Sequence, residues 1–216
     1  DVYLLAASKK SGVLTVGMVR SWDNITNKGL FRIKPDKLIV QNNVIKKEAL
    51  EHEDMKEGNI FVSGLPQLDH YVRREYCSRD IFLKKLGFNP SDRLIFVGPL
   101  GRRFANTDGQ LLDILKRSLL DKKIPGSVKF LVRLPPNDYV SFDGFTPDNN
   151  FFIYKPGIPF RKDIYSDWEV TMDEDLPLAD SLYHSDLVVI YASSLVLDAA
   201  ALDRPIVLVS FDGQEQ

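Results

Sequence analysis

The sequence has little cysteine, little net charge and no long hydrophobic run. Its single cysteine, Cys77, allows no disulfide within the chain, so a reducing compartment is expected. The 28 basic and 30 acidic side chains leave a formal net charge of -2, whereas dedicated nucleic-acid binders usually carry a strong basic excess. The most apolar stretch, residues 187–202, contains Ser193, Ser194 and Asp198 and is too short for a membrane span.

Signals of targeting, of metal binding and of common hydrolases are also missing. No N-terminal run has the pattern of a signal peptide. His52, His70 and His184 lie far apart, so we expect no metal site, and neither GxSxG nor HExxH occurs. The composition, 44% apolar and 27% charged, is that of an ordinary globular protein. The chain starts at Asp1 within an apolar run, which we interpret as a piece of a longer protein.

What the chain does contain is a series of short, continuous apolar runs, each followed by a polar turn. Because they do not alternate apolar with polar residues, both faces of each run are expected to be covered, as in parallel sheets. The runs that we interpret as strands are 2–5, 13–19, 37–40, 60–63, 94–97, 128–133, 151–155, 187–191 and 206–210.

Amphipathic patterns between several of these runs predict helices over 43–55, 79–86 and 107–120. Thr107 and Gln110 have the spacing of a capping box at the start of the third helix. Alternating strands and helices favour βαβ units, and hence a Rossmann-like α/β fold with parallel sheets.

The turn-rich residues around 64–67 and 89–92 indicate two units. We predict one α/β unit over 1–72, a connecting helix and linker over 73–90, and a second α/β unit over 91–216. The stretch 163–186 holds eight acidic and no basic side chains, which we interpret as a solvated face and a helix N-terminus.

The loop after the predicted strand 94–97 is a candidate binding loop, because ligands bind at the carboxyl ends of strands in open α/β sheets. Gly98 would allow close approach of the backbone, and Arg102 and Arg103 would hold a diphosphate. The loop matches neither the Walker A motif nor GxGxxG. The alternative is an exposed turn with solvated arginines.

A second candidate is the segment after the predicted strand 187–191. Ser193 and Ser194 can cap the next helix, whose free amides would form an anion site. That helix is apolar on nearly every side and is expected to be buried. Asp198 would accept hydrogen bonds from a ribose or sugar diol, or would instead pair with Arg204 or Arg133.

Two further strand ends carry candidate residues. Arg133 would hold phosphate or form a strand-terminal ion pair. After the predicted strand 13–19, Arg20, Trp22, Asp23 and Asn24 form either a binding corner or a capped turn with a packed Trp. Residues 9–37 carry seven basic and two acidic side chains, which would face an anionic acceptor or a membrane surface, or would only be solvated.

Four segments, in this order, resemble bacterial surface-polysaccharide glycosyltransferase-like proteins of the GT-B class. CDP-glycerol glycerophosphotransferases and nonhydrolysing UDP-N-acetylglucosamine 2-epimerases are similar in the same places. The segments are VGMVRSWDN with TNKG (16–29), PDKLIVQN (35–42), VSGLPQLD (62–69), and SDLVVIYASS with DAAA and RPI (185–206).

This resemblance implies a GT-B fold of two Rossmann-like units, both incomplete in this chain. Residues 1–72 would be the later part of the acceptor domain, and 91–216 would be the donor-nucleotide domain without its last helices. Ser193, Ser194 and Asp198 match the donor-binding positions, although the family has Glu where this chain has Asp198. Arg133 matches the arginine of an R-x-H-P turn, whose histidine is replaced here by Pro135.

The function implied is a metal-independent glycosyltransferase of cell-surface polysaccharide biosynthesis, with Asp23 as a candidate base. It would use a nucleotide-diphosphate sugar donor, a glycan or lipid-linked acceptor, and no obligatory cofactor or nucleic acid. It would be cytoplasmic, with peripheral association at the inner face of the membrane. The alternatives are a CDP-glycerol-type polyol-phosphate transferase and a non-catalytic GT-B-like binding domain.

Overall fold

The computed structural model describes residues 2–124, 127–136, 138–159, 168–170 and 176–210. The chain divides into two compact units, Asp1–His70 and Tyr71–Gln216. The helices are α1 (Val2–Lys10), α2 (Asn43–His52), α3 (Asp69–Arg73), α4 (Arg79–Lys85), α5 (Asp108–Leu120), α6 (Leu178–Tyr183) and α7 (Leu195–Ala201). The strands are β1 (Val16–Met18), β2 (Lys37–Val40), β3 (Ile60–Val62), β4 (Arg93–Gly98), β5 (Val128–Arg133), β6 (Phe151–Tyr154), β7 (Ile158–Pro159), β8 (Trp168–Glu169), β9 (Leu187–Ile190) and β10 (Ile206–Leu208).

The first unit contains a three-stranded parallel sheet in the order β1-β2-β3. Asn42 caps α2 by accepting a hydrogen bond of 2.9 Å from the Ile45 amide, which satisfies one of the free N–H groups at the helix start. Its core is made by the buried residues Val19, Ile25, Leu38, Val40, Ile45, Ala49, Met55 and Ile60.

The first predicted strand, 2–5, is wrong, because these residues form the start of α1. A short apolar run does not by itself distinguish a strand from a helix. Here Ala6 and Ala7, which favour helix, follow at once. Lys9 and Lys10 in the last turn complement the helix dipole.

The second unit contains a five-stranded parallel sheet in the order β10-β9-β4-β5-β6. From β4 the chain proceeds to β5 and β6 on one side, whereas β9 and β10 lie on the other, so the strand order reverses between β4 and β9. Buried residues pack in separate clusters that draw on alternate positions of the same strands, such as Phe96 in one and Val97 in the other. The predicted α/β fold with parallel sheets is therefore confirmed.

Two local predictions in this unit need correction. Thr107 stands at the N-cap position of α5 but makes no capping bond, because its hydroxyl lies 3.1 Å from the Tyr191 hydroxyl instead. The helix predicted to be buried after Ser194 is α7, and Ala199 is its buried residue, while Ala200 and Ala201 are exposed. The region 73–90 holds the end of α3 and all of α4.

The predicted acidic face over 163–186 lies in part outside the described residues. Among its described members, Asp180 is buried on α6 and Asp186 pairs with Arg79 and Arg93. A short antiparallel pair, β7 with β8, precedes α6. Within the described ranges, no helix has both the length and the apolar character needed to span a bilayer.

The burial of α5 gives a direct test of the sheet-and-helix core. Leu112 is 0% exposed, and Leu120 on the same helix is 67% exposed. We expect Leu112→Ala to lower the free energy of unfolding by about 2–5 kcal/mol, because it removes buried methyl groups and leaves a cavity. The matched Leu120→Ala change is expected to cost less than about 0.5 kcal/mol. Urea denaturation measures both, and equal losses would contradict the packing described here.

Candidate functional site

A cavity of about 410 Å³ lies where β4, β5 and β9 end at their carboxyl edge. This is also the point at which the strand order reverses, where open α/β sheets place their ligands. Its walls are predominantly apolar, with a few polar groups among them. The lining residues are Pro99, Leu100, Phe104, Arg133, Leu134, Pro135, Pro136, Pro156, Val170, Leu178, Ser193, Ser194 and Leu195.

Gly98 ends β4 at the base of this region, and its lack of a side chain is required by packing. A Cβ at this position would lie 2.8 Å from Ile190 Cγ2 and 3.1 Å from Leu195 Cδ1. Gly101, three residues later, has a φ of 91°, and a Cβ there would lie 2.5 Å from Asp138 Oδ2. Glycine is therefore needed at both positions to bring protein segments together.

The loop after β4 is held by carboxylates of the protein itself. Buried Asp108, at the start of α5, accepts the Leu100 amide at 3.0 Å and the Gly101 amide at 2.9 Å. Asp138 Oδ2 accepts the Arg103 amide at 3.0 Å. Burial raises the pKa of Asp108, while its two amide bonds act in the opposite direction. These amides thus already have acceptors.

The hydrogen bonds to Asp108 and Asp138 fix which residues of the β4 loop line the cavity. Pro99, Leu100 and Phe104 reach its wall, whereas Arg102 and Arg103 are exposed and are not part of the lining. The role of Arg102 and Arg103 in holding a diphosphate stays a prediction.

Arg133, the last residue of β5, places a buried cation in the cavity wall. Its side chain donates through Nη1 to the Leu176 carbonyl at 2.6 Å, and its guanidinium carbon lies 5.2 Å from the centre of the Tyr154 ring. The residue is only 8% exposed. Since the protein fixes the guanidinium in place, little conformational entropy would be lost when an anion binds.

Ser193 and Ser194 also line the cavity, directly before α7. Ser194 has helical backbone angles, φ -62° and ψ -19°, and its side chain makes no capping bond. The predicted hydroxyl cap is therefore wrong for Ser194. The structure does bring the two serines and Arg133 together around one cavity, as the sequence predicted for donor-binding residues.

Asp198 lies on α7, and one of its partners is a tyrosine that the sequence did not indicate. Its Oδ1 accepts a hydrogen bond of 2.8 Å from the Tyr71 hydroxyl. Burial, together with the Asp198 charge, holds the pKa of Tyr71 far above its usual range, so the phenol stays a donor. Arg204 donates to the carbonyls of Leu202, Tyr183 and Ser185. A ribose contact by Asp198 stays a prediction.

The binding corner predicted in the first unit is organised as a turn. The Ser21 hydroxyl donates to Asp23 Oδ1 at 2.5 Å, and Lys28 Nζ donates to the same oxygen at 3.1 Å. Asn24 Oδ1 accepts the Ser21 amide at 2.8 Å. The hydrogen bonds from Ser21 and Lys28 lower the pKa of Asp23, which makes its carboxylate a weaker proton acceptor. A catalytic role for Asp23 stays a prediction.

A second cavity, of about 570 Å³, lies in this first unit. Asn24 and Lys28 line it together with apolar residues such as Met18, Phe31 and Leu38. Arg20, Trp22 and Asp23 are not in its lining, and Trp22 is largely exposed. Of the four residues predicted for the acceptor side and the base, Asn24 is thus the one in the lining of this cavity.

Sequence reasoning missed Asp108 and Phe104. Asp108 begins a helix soon after a glycine-containing turn, and an acidic residue in that place is a recognisable signal for amide binding. Phe104, by contrast, has no signal in sequence, because its place in the cavity wall depends on how Asp108 and Asp138 shape the loop.

Comparison with solved structures finds a fold likeness. The wall teichoic acid polymerase TagF matches with a TM-score of 0.50 and 21% identity, over 82% of this chain and 40% of that chain. A variant of TagF, with a histidine replaced by asparagine, matches with a TM-score of 0.47 and 21% identity, over 79% and 38%. The same variant after a 30-minute soak with CDPG gives 0.43 and 20%, over 79% and 37%. No protein-family model and no curated protein matches.

The first of these matches establishes the kind of fold. The two parallel sheets, of three and five strands, correspond to part of the GT-B fold of TagF. The chain spans about 40% of the length of the TagF chain that it matches. The GT-B-like fold expected from the sequence is thereby confirmed.

The anchoring of the β4 loop can be tested on α5. Asp108→Asn leaves one carbonyl oxygen where the carboxylate accepts two amides, so we expect a loss of about 1–3 kcal/mol in the free energy of unfolding. Asp113 on the same helix forms a partly exposed ion pair of 2.6 Å with Arg117, and Asp113→Asn is expected to cost less than about 0.5 kcal/mol. Urea denaturation compares the two. A loss no larger at Asp108 than at Asp113 would count against the anchor.

Proposed function

We propose that this chain is part of a transferase that moves a polyol phosphate from a CDP-activated donor to a cell-surface polymer. The observation that carries the proposal is the cavity at the carboxyl edge of β4, β5 and β9, with buried Arg133 and two serines in its wall. That cavity has the place and the polar groups of a nucleotide-diphosphate site.

Two independent likenesses support the choice of donor class. The ordered motifs of the sequence resemble CDP-glycerol glycerophosphotransferases as well as glycosyltransferases. The fold is similar to that of a protein named as a wall teichoic acid polymerase. Together they favour the polyol-phosphate alternative over the nucleotide-sugar glycosyltransferase that the sequence analysis put first.

The proposed reaction is a displacement at phosphorus. A hydroxyl oxygen of the acceptor attacks the polyol-bearing phosphorus, the diphosphate bridge breaks on that side, and CMP leaves with the bridging oxygen. The acceptor proton passes to a base, so a phosphodiester and CMP are the products. Negative charge grows on the leaving phosphate, and Arg133 would stabilise it through charge-assisted hydrogen bonds.

The other residues of the cavity wall would contact the phosphates and the base of the donor. The hydroxyls of Ser193 and Ser194 would donate to phosphate oxygens. Phe104, largely exposed at the cavity, offers a face on which a pyrimidine can stack. The apolar walls around Pro99 and Pro135 would keep water from the diphosphate.

The acceptor, the location and the base follow from the same proposal. To build a cell-surface polymer, the enzyme would act in the cytoplasm at the inner face of the membrane. Its acceptor would be a glycan or a lipid-linked molecule. The cavity of the first unit, with Asn24 and Lys28, would take part of that acceptor. Asp23 is retained as the candidate base, although its lowered pKa makes it a weaker one.

Calorimetric titration of the chain with CDP-glycerol, CDP, UDP and UDP-N-acetylglucosamine tests the proposal. We expect CDP and CDP-glycerol to bind at least about tenfold more tightly than the uridine ligands, equal to about 1.4 kcal/mol. Arg133→Ala should weaken CDP binding by about 10–100-fold, through loss of a charge-assisted hydrogen bond. The control is Arg93→Ala, which removes an exposed arginine at the opposite end of β4 and should leave affinity unchanged.

Each contrary result identifies another function. Preference for UDP or its sugar derivative, reduced by Asp198→Ala, would support the glycosyltransferase instead. Binding of no nucleotide by the folded chain would support the non-catalytic binding domain. Equal losses in the Arg133 and Arg93 variants would place the nucleotide outside the described cavity.

A further inference from the structure

A cysteine, an aspartate and a histidine from distant parts of the sequence meet in the second unit. Cys77 lies just before α4, Asp180 lies on α6, and His184 ends α6 as its C-cap residue. Asp180 and His184 are four residues apart, so their side chains project from the same side of the helix. One ligating atom from each residue lies within 4.8 Å of those of the other two.

The distances suit a small metal ion. Cys77 Sγ lies 3.8 Å from His184 Nε2. In a tetrahedral zinc site, with Zn–S near 2.3 Å and Zn–N near 2.0–2.1 Å, the sulfur and nitrogen ligands are about 3.6 Å apart. The observed separation therefore needs a shift of only a few tenths of an ångström to accommodate Zn²⁺.

Burial adds an observation that is independent of these distances. Asp180 is 5% exposed and His184 is 4% exposed. Asp180 Oδ2 accepts a bond of 2.6 Å from Arg74, but its Oδ1 has no hydrogen-bond partner within the described part of the chain. A buried carboxylate oxygen without a partner is costly, and a metal ion would satisfy it.

We propose that Cys77, Asp180 and His184 form a binding site for Zn²⁺ or a chemically similar divalent transition metal. Thiolate, imidazole and carboxylate are ligands that zinc accepts together. Binding transfers the thiol proton of Cys77 to solvent, and the thiolate sulfur bonds to the metal. The site goes beyond the proposed function, since it shares no residue with the wall of the candidate donor cavity.

Two of the three ligands line a cleft of about 490 Å³, whose lining residues are Tyr76, Cys77, Ser78, Arg79, Tyr183, His184 and Arg204, and an open coordination position would face this cleft. Arg79 pairs with Asp186 at 2.6 Å, which offsets its charge. Arg204 donates to backbone carbonyls and keeps its positive charge, which acts against a cation in this cleft. With three protein ligands, the open position would hold water or a small anion.

Because Cys77 is the only cysteine in the sequence, thiol alkylation reports on the site without ambiguity. The full chain is freed of metal by a chelator, and its alkylation rate is then measured with and without Zn²⁺. We expect stoichiometric Zn²⁺ to slow the reaction at least about tenfold, because coordination occupies the thiolate lone pair. Co²⁺ in place of Zn²⁺ should give a thiolate charge-transfer absorption that grows to one equivalent.

Variants separate the three ligands from other metal-binding groups. Asp180→Asn and His184→Gln should each weaken Zn²⁺ binding by more than about 100-fold, above the 10–100-fold cost of losing an outer-shell partner. The control is His52→Gln, which changes an exposed histidine on α2 and should leave Zn²⁺ affinity unchanged. Circular dichroism checks that each variant is folded.

Two results would overturn the site. One is an alkylation rate of the unmodified chain that Zn²⁺ does not change, which needs no variant and stands even if a substituted chain misfolds. The other is Zn²⁺ protection of Cys77 that persists undiminished in folded Asp180→Asn and His184→Gln. Either would mean that the contact between Cys77 and His184 is a thiol hydrogen bond only.

Discussion

The position of β4 between β5 and β9 is the constraint on which the second unit depends. Residues 94–97 of β4 have at most 7% of their surface exposed, so the strand is buried on both faces. Its backbone pairs on both sides in fixed register, for example Phe96 with Leu131 and with Val188. The loops that follow these strands must therefore converge at one edge, and the candidate cavity lies where they do.

Above that edge, carboxylates of the protein itself hold the loops. Asp108 and Asp138 accept hydrogen bonds from amides of the β4 loop, and Asp198 accepts one from the hydroxyl of Tyr71. Each carboxylate accepts a hydrogen bond from a polar group that would otherwise need a water molecule as its partner. The cavity wall is consequently preorganised, with the Leu176 carbonyl and the Tyr154 ring among the groups that hold Arg133 in place.

How far the sequence was informative depended on the range of the interactions involved. The buried runs around 94–97, 128–133 and 187–191 predicted the parallel sheet, because residues buried on both faces cannot alternate. The run at 2–5 was misjudged because helix and strand both suit a few apolar residues. Thr107 looked like a cap because Tyr191, its actual partner 84 residues away, was not visible in the local pattern.

The candidate site residues likewise differ in whether a local sequence pattern indicates them. Arg133 and Ser193 are candidates from the sequence because they end or follow recognisable strands, and the sheet brings such positions together around one cavity. The contact between Cys77 and His184 is not predictable from the sequence, because 107 residues separate them. The four-residue spacing of Asp180 and His184 is the part of the cluster that the sequence does show. Ligand sets assembled across such distances depend on tertiary packing, for which a local pattern carries no information.

The buried carboxylate of Asp108 has one more consequence, which concerns ionic strength. Salt screens exposed charge pairs over roughly 8–10 Å, so contacts such as Lys34 with Asp54 weaken as salt is added. The hydrogen bonds that buried Asp108 accepts from two backbone amides are shielded from solvent, where mobile ions have little effect. The loop beside the cavity would thus keep its conformation in concentrated salt, whereas the exposed ion pairs would weaken.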